Sequence, residues 1–350
     1  MSAYANNGVE TIWFTRCPVP TATGLAYKLG WLDEEFKPDG IAIQTLQEVG
    51  GELARHHYDH ELNTLIREGG NLLAIPAKAQ GAPTRLVGLT WIDEAQAILV
   101  RPDSTIRRPE DLKGQRLALP VFREADLEQN RRGRSIARGM SLAGYKGALA
   151  SVGLSLDDVH LVEVSSERPG AHRENLGSLW GGLEPLLRGE VDAVYVKGAS
   201  SVDAARQNGA VVGIDLDKLA DRRFRVNNGT PRPITVHEEL IEENFDLLVR
   251  FLYQTLRAAE WAKTNLAGVQ QILQGEARAS SAAVAAAYRD GFHLTLAPDL
   301  SAERVELFRQ QKNFQLTHGF LDRDFDYDAW IDRRPLEEAR RRLETYAQAA

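Results

Sequence analysis

The stretch Leu99-Val100-Arg101-Pro102-Asp103-Ser104, with Pro109-Glu110-Asp111-Leu112-Lys113-Gly114 shortly after it, decides how this chain is organised. Before it, strand patterns alternate with short helical segments, and that pattern breaks at its Arg-Pro pair. The second segment is typical of a short helix, because proline favours the start of a helix and glycine its end. A new strand, Arg116-Leu117-Ala118-Leu119-Pro120, then opens a second series of strands and helices. The stretch therefore predicts that the chain crosses from one lobe to another.

The chain also has a predicted return crossing. Ala210-Val211-Val212-Gly213-Ile214 reads as a strand that returns to the first lobe, and Ile234-Thr235-Val236 reads as the final strand before a helical remainder. Alternating strands and helices favour an α/β fold, in which each lobe is a mixed, mostly parallel sheet flanked by helices. We predict a discontinuous first lobe, residues 1–100 and 209–350, an inserted second lobe, residues 101–208, and a ligand cleft between them.

Composition restricts the function classes. A length of 350 residues favours about two domains, and a formal charge of −7 gives no support for a nucleic-acid partner. The single cysteine excludes an intramolecular disulfide and a multi-thiolate zinc site. No stretch reaches the roughly 18 apolar residues of a membrane span, and no signal peptide pattern is visible at the start. We therefore expect a cytoplasmic monomer that binds a small molecule.

The cysteine lies in Thr15-Arg16-Cys17-Pro18-Val19-Pro20, directly after an apolar run. Proline fixes φ and removes backbone donors, so the first strand must stop near Cys17. Ligand groups of α/β proteins gather at strand ends, which makes the Cys17 thiol a candidate reactive group. The alternative is an inert, buried small side chain.

A polar stretch over residues 52–67 ends in Arg67-Glu68-Gly69-Gly70. Close together in it stand three histidines and an aspartate: His56, His57, Asp59 and His60. A metal site is not expected, because successive residues of a helix do not face one point. Each histidine taken alone is interpreted as an exposed or capping residue, and His56 and His60 keep that interpretation.

The order of elements resembles the two-lobed (type II) periplasmic solute-binding proteins that serve sulfonate, taurine and nitrate uptake. The stretch 99–104 with 109–114 is similar to their crossing phrase, and Leu187-Arg188-Gly189-Glu190-Val191-Asp192-Ala193-Val194 is similar to their late second-lobe strand. These motifs imply the fold, and only weakly a function.

A closer resemblance is to the aryl sulfinate desulfinases of dibenzothiophene desulfurisation, which are cytoplasmic enzymes on the same fold. Their Cys-Pro-Val-Pro turn is matched at residues 17–20, and their Arg-X-Gly-Gly phrase at residues 67–70. A histidine ten residues before that phrase completes their site, and 67 − 10 = 57 gives His57. The similarity runs nearly to the C-terminus, although the aromatic pocket residues of that family are not located here.

The resemblance implies a cofactor-independent, metal-free desulfinase that cleaves the C–S bond of an aromatic sulfinate. Cys17 would be the reactive thiol, either as proton donor to the ring carbon or as nucleophile at sulfur. His57 would be its partner, and the planar fork of Arg67 would bind the sulfinate. The expected substrate-binding residues are Thr15, Tyr58, Gly69 and Gly70.

Two other functions fit the same fold. A solute-binding protein for sulfonate-like oxyanions would share the cleft and Arg67 but would need no thiol. The pyrimidine synthase of thiamine biosynthesis also shares the fold, but its cysteine-rich phrase has no match in a chain with one cysteine.

Overall fold

A computed structural model describes residues 8–15, 19–49, 51–122, 124–128, 135–165, 181–277, 279–289 and 291–349. The strands are β1 Thr11–Phe14, β2 Ala42–Thr45, β3 Leu65–Glu68, β4 Thr84–Thr90, β5 Gln96–Val100, β6 Arg116–Pro120, β7 His160–Val164, β8 Val194–Lys197, β9 Val211–Asp215 and β10 Arg232–His237. The helices are α1 Ala22–Lys28, α2 Trp31–Phe36, α3 Leu46–Val49, α4 Gly51–Ala54, α5 His56–Asp59, α6 Asn71–Ala79, α7 Glu124–Glu128, α8 Ile136–Ala150, α9 Leu183–Leu187, α10 Ala199–Gln207, α11 Glu238–Glu243, α12 Phe245–Thr264, α13 Leu266–Ala277, α14 Ser281–Ala287, α15 Ala302–Thr317, α16 Tyr327–Trp330 and α17 Arg334–Ala349. None of these helices combines the length and the apolar character needed to span a bilayer.

A five-stranded sheet of order β2-β1-β3-β10-β4 forms the first core. β1 pairs in parallel with both β2 and β3, whereas β10 runs antiparallel to β3 and β4. Large side chains such as Phe14, Phe251 and Trp330 are fully buried in this core. The parallel pairing brings the carboxyl ends of β1 and β3 to the same edge of the sheet, which is where ligand groups of α/β proteins gather.

The second core contains a three-stranded sheet, β8-β5-β9, and the parallel pair β6-β7. A parallel bridge between Leu117 and Ala193 joins the two. Tyr145 and Tyr195 meet edge to face at the centre, 6.3 Å between ring centroids, and the Tyr145 hydroxyl donates to the carbonyl of Ala118. This core is separate from the first, as two lobes require.

The strand pairing differs from the sequence prediction in two respects. Parallel pairs do not predominate, because β10 enters the first sheet against its neighbours and β5 pairs antiparallel with β8 and β9. The strands at the two predicted crossings, β5 and β9, pair with each other and bury Leu99 and Ile214 in the second core. β9 therefore does not join the first sheet, and the lobe limits at 100/101 and 208/209 stay a prediction.

β3 was not predicted from the sequence. It is four residues long and ends in the charged Arg67 and Glu68, so its sequence pattern is that of the end of a polar stretch. All four of its side chains are nevertheless buried.

A substitution at Gly147 of α8 would test how closely this helix packs against the segment Arg222–Arg225. A Cβ atom on Gly147 would lie 2.1 Å from the backbone oxygen of Phe224, whereas one on the helical Gly275 would meet no atom within 4 Å. We expect Gly147→Ala to lower the free energy of unfolding by about 1–3 kcal/mol, because a backbone oxygen cannot swing aside.

The matched control is Gly275→Ala, which we expect to raise the free energy of unfolding by about 0.5–1 kcal/mol through helix propensity. Urea unfolding followed by circular dichroism measures both. Equal stabilities for the two variants would contradict the close approach of α8 to Phe224.

Candidate active site

The candidate site lies where β1 and β3 end side by side. Phe14 of β1 pairs with Ile66 of β3, and the Thr15 hydroxyl donates to the carbonyl of Glu68 at 2.9 Å. Thr15 is buried, and its hydroxyl proton is already used in this bond. Thr15 therefore links the end of β1 to β3, and its predicted contact with a ligand stays a prediction.

Arg67 is the centre of the site. Its side chain is only 1% exposed, and its Nε donates to the carbonyl of His57 at 3.2 Å, while Nη2 donates to the carbonyl of Gly70 at 3.2 Å. A Cβ atom on Gly69 would lie 2.8 Å from the guanidinium carbon, so only glycine leaves room for the side chain. The structure thus brings Arg67 together with the backbone of His57 and with Gly69 and Gly70.

The two glycines lead into α6. Gly70 caps this helix with extended backbone and no side-chain hydrogen bond. The amide of Leu72, in its first turn, donates to Asn228 Oδ1 at 3.0 Å. Asn71 Nδ2 donates to the carbonyls of Asn227 and Pro231 at 2.8 and 3.1 Å. The Asn227-Asn228 pair is therefore part of the site's frame, and a polar run ahead of the final predicted strand was the only sequence signal for it.

His57 is a partly buried residue of α5 whose Nδ1 has no hydrogen-bond partner among the described residues. Burial, and then the positive charges of Arg67 and Arg232, lower the pKa of His57 to about 3. Its imidazole is therefore neutral at pH 7, since neutral imidazole is the form that a low-dielectric, positively charged site favours. Tyr58 packs edge to face on it, 5.2 Å between centroids.

His60 caps the end of α5, which agrees with its interpretation as a capping residue, but its side chain is buried. Only 4% of His60 is exposed, so the exposed alternative does not hold. Burial, then Arg67, then His57 lower its pKa well below the usual value. Its backbone N–H closes the helical turn by donating to the carbonyl of His56 at 3.2 Å.

Two further buried charged residues, Glu68 and Lys197, lie close enough to Arg232 for its charge to act on them. Glu68 accepts a hydrogen bond from Thr90 at 3.0 Å, and burial raises its pKa. Lys197, buried at the end of β8, donates to Thr230 Oγ1 at 3.3 Å and lies 3.9 Å from Glu94. Neither Glu68 nor Lys197 was singled out from sequence, because each is the last residue of a strand, where a charged side chain gives no sign of its partner.

The predicted positions that remain are Tyr58 and Cys17. Tyr58 is 40% exposed and lines a cavity of about 340 Å³ beside α6, whose other lining residues include Leu72 and Pro76 but not Arg67 or Gly69. Cys17 lies outside the described residues.

Among the residues that the structure describes, one cluster could hold a metal ion. His56, Asp59 and Glu61 each offer a ligand atom within 4.8 Å of the others. The His56 Nδ1 atom is 2.8 Å from Asp59 Oδ1, however, so an ordinary hydrogen bond accounts for that pair. Neither His57 nor His60 belongs to the cluster.

Comparison with known proteins fits this geometry. The family model described as NMT1/THI5 like matches residues 26–265. The chain belongs to this family. Among curated proteins, this NMT1/THI5-like chain is similar to the 2'-hydroxybiphenyl-2-sulfinate desulfinases of Rhodococcus erythropolis and Rhodococcus qingshengii, each 26% identical over 92% of this chain and 91% of the relative.

Solved structures agree on the fold. The desulfurization enzyme DSZB superimposes with a TM-score of 0.73 at 23% identity, covering 95% of this chain and 99% of that one. The periplasmic aliphatic sulphonate binding protein SsuA of Escherichia coli superimposes with a TM-score of 0.64 at 16% identity, covering 93% of this chain and 92% of that one. The predicted two-lobed, solute-binding-protein fold is thus confirmed, as is the resemblance to desulfinases.

The lowered pKa of His57 predicts a specific acid sensitivity. The unfolded chain takes up a proton at this residue below about pH 6.5, but the folded protein does so only near pH 3. The contribution of His57 to the free energy of unfolding is therefore fully present above pH 6.5. It is lost as the pH falls toward 3, by up to about 1.4 kcal/mol per pH unit.

We expect His57→Gln to reduce the slope of unfolding free energy against pH between 6 and 4, measured by urea unfolding at closely spaced pH values. The same slope in both proteins would show that the imidazole is already protonated in the folded state.

Proposed function

We propose that this protein is a cofactor-independent desulfinase that cleaves the C–S bond of an aromatic sulfinate and releases sulfite. The observation that carries the proposal is that the Arg67 guanidinium donates hydrogen bonds to the carbonyls of His57 and Gly70. This group lies where β1 and β3 end side by side. The similarity to sulfinate desulfinases over 92% of the chain supports the same reaction class.

The overall reaction is the replacement of carbon–sulfur by carbon–hydrogen. An aryl sulfinate and water give the arene and hydrogen sulfite, so no external oxidant or reductant is needed. In the proposed path, the Cys17 thiol gives its proton to the ring carbon as the C–S bond breaks and SO2 departs. Water adds to SO2 to form hydrogen sulfite, and the proton released restores the thiol.

The neutral state of His57 supports proton donation by the thiol over nucleophilic attack by a thiolate. An imidazolium beside a cysteine stabilises the thiolate, and the pKa of His57 near 3 removes that ion pair at neutral pH. A neutral imidazole can still orient the thiol through a hydrogen bond. In the alternative path, the thiolate attacks sulfur and a covalent cysteine adduct forms before hydrolysis.

Arg67 has two tasks in this proposal. Its charge attracts the sulfinate, together with that of Arg232, which acts on the same imidazole. Its bonds to the carbonyls of His57 and Gly70 also fix the positions of both segments. Gly69 leaves the space that the guanidinium occupies, and Tyr58 is proposed as a wall for the aryl group.

A solute-binding protein for a sulfonate-like oxyanion is the second candidate, because SsuA-type binding proteins share the fold. It would bind a sulfonate tightly without turnover. We propose the cytoplasm as the enzyme's location, whereas this second candidate would act after export.

A measurement of sulfite release distinguishes the desulfinase from the solute-binding protein. We expect the purified protein to release sulfite from biphenyl-2-sulfinate, and we expect Cys17→Ser to lose more than about 100-fold in kcat, because serine is a far weaker proton donor. A colorimetric sulfite assay measures both. The matched control, His56→Gln, alters a ring that bonds Asp59 and should retain wild-type kcat. Undiminished release by Cys17→Ser would remove the thiol from the mechanism.

Arg67→Lys tests the second role of the arginine. Lysine keeps the charge but cannot hold two carbonyls with a planar fork, so we expect kcat/KM to fall about 10- to 1000-fold, with most of the loss in KM. Steady-state kinetics on the same sulfinate, with circular dichroism to verify folding, measure this. A lysine variant with wild-type kcat/KM would mean that charge alone suffices.

A further inference from the structure

His60 has a backbone conformation that its residue type does not favour. Its φ is 59° and its ψ is 28°, which is the left-handed region at the end of α5. Glycine or asparagine is the usual residue at such a helix end, because a Cβ atom crowds the backbone there. Non-glycine residues held in this region cluster at functional sites.

The His60 side chain is also buried without a visible structural reason. It is 4% exposed, and neither ring nitrogen has a hydrogen-bond partner within the described ranges of the chain. Buried polar atoms nearly always have partners, so an imidazole with two unpaired nitrogens indicates a ligand or water that completes it. This observation is independent of the backbone angles.

The residues around His60 indicate which kind of ligand would complete its imidazole. Arg67 and His57 are the charged and titratable groups close enough to affect it. Arg67 already donates from Nε and Nη2 to backbone carbonyls, so an oxyanion with two or three oxygens needs further donors beside the guanidinium. Burial and these neighbours keep the imidazole neutral, with one N–H to donate.

We propose that His60 is a ligand-binding residue of the oxyanion site, and that one of its ring nitrogens donates a hydrogen bond to an oxygen of the bound sulfinate or sulfonate. The inference shares its anion site with the proposed function but does not depend on turnover. It assigns to His60 a direct contact, in addition to the roles given to His57 and Arg67.

The test uses benzenesulfonate, an aryl oxyanion that the desulfinase reaction does not consume, and isothermal titration calorimetry on the full chain. We expect His60→Gly to weaken the Kd about 10- to 100-fold, the usual loss for a hydrogen bond to a charged group. We expect His60→Asn to stay within about threefold, because asparagine tolerates the left-handed region and its amide retains a donor. His56→Asn is the matched control, since that ring bonds Asp59, and its Kd should match the wild type.

A role in packing alone predicts a different pattern. His60→Gly and His60→Asn would then both bind benzenesulfonate within twofold of the wild type, whatever their stability to urea, and that result overturns the proposal. A second readout is the ring ¹⁵N resonances of His60, which should shift when benzenesulfonate is added; unchanged resonances at saturation also overturn it. Binding of benzenesulfonate with the expected variant pattern, but no sulfite from any sulfinate, would reject the desulfinase and support the contact of His60.

Discussion

The buried guanidinium of Arg67 is the interaction on which the site depends. From the end of β3 it reaches back to the carbonyl of His57 and forward to the carbonyl of Gly70, so one side chain fixes the segments before and after its own strand. A lysine or a neutral side chain could not satisfy two carbonyls in these directions, because only the planar guanidinium presents several N–H donors at fixed angles. Gly69 is required by the same arrangement, since any side chain there would collide with the guanidinium.

Burying this cation has consequences for the groups around it. Arg67 and Arg232 make protonation of His57 unfavourable, and Arg67 does the same at His60, so the site contains two neutral imidazoles in a positive surrounding. Glu68 is buried beside them, and the favourable charge of Arg232 acts against the rise that burial causes in its pKa. A site of this kind attracts an anion and supplies uncharged donors and acceptors at short range, which suits a sulfinate or sulfonate better than a cation or a neutral solute.

The fold explains how the site is assembled at one edge of the first sheet. Parallel pairing of β1 with β3 places the end of both strands at one edge, and the Thr15 hydroxyl fastens them there. The segment Asn227-Asn228, which precedes β10, then packs on α6 and accepts hydrogen bonds that Asn71 Nδ2 and the Leu72 amide donate from the first turn of that helix. Residues separated by more than 150 positions in the chain are thereby brought into one frame, and strands at both predicted crossings pair with each other in the second core.

The sequence by itself determined the α/β class and the two series of strands and helices, because periodicity and proline and glycine punctuation are local properties. It also singled out the group His57, Arg67, Gly69 and Gly70, through the spacing of a motif that resembles the desulfinase pattern. It did not determine β3, which is too short and too charged to show a strand pattern, nor the sheet to which β9 belongs, because strand partners are chosen by long-range packing. The burial of His60, the engaged hydroxyl of Thr15 and the frame formed by Asn227 and Asn228 were decided only by tertiary structure. Each depends on which distant backbone or side-chain atom occupies the neighbouring space, and no local pattern encodes that.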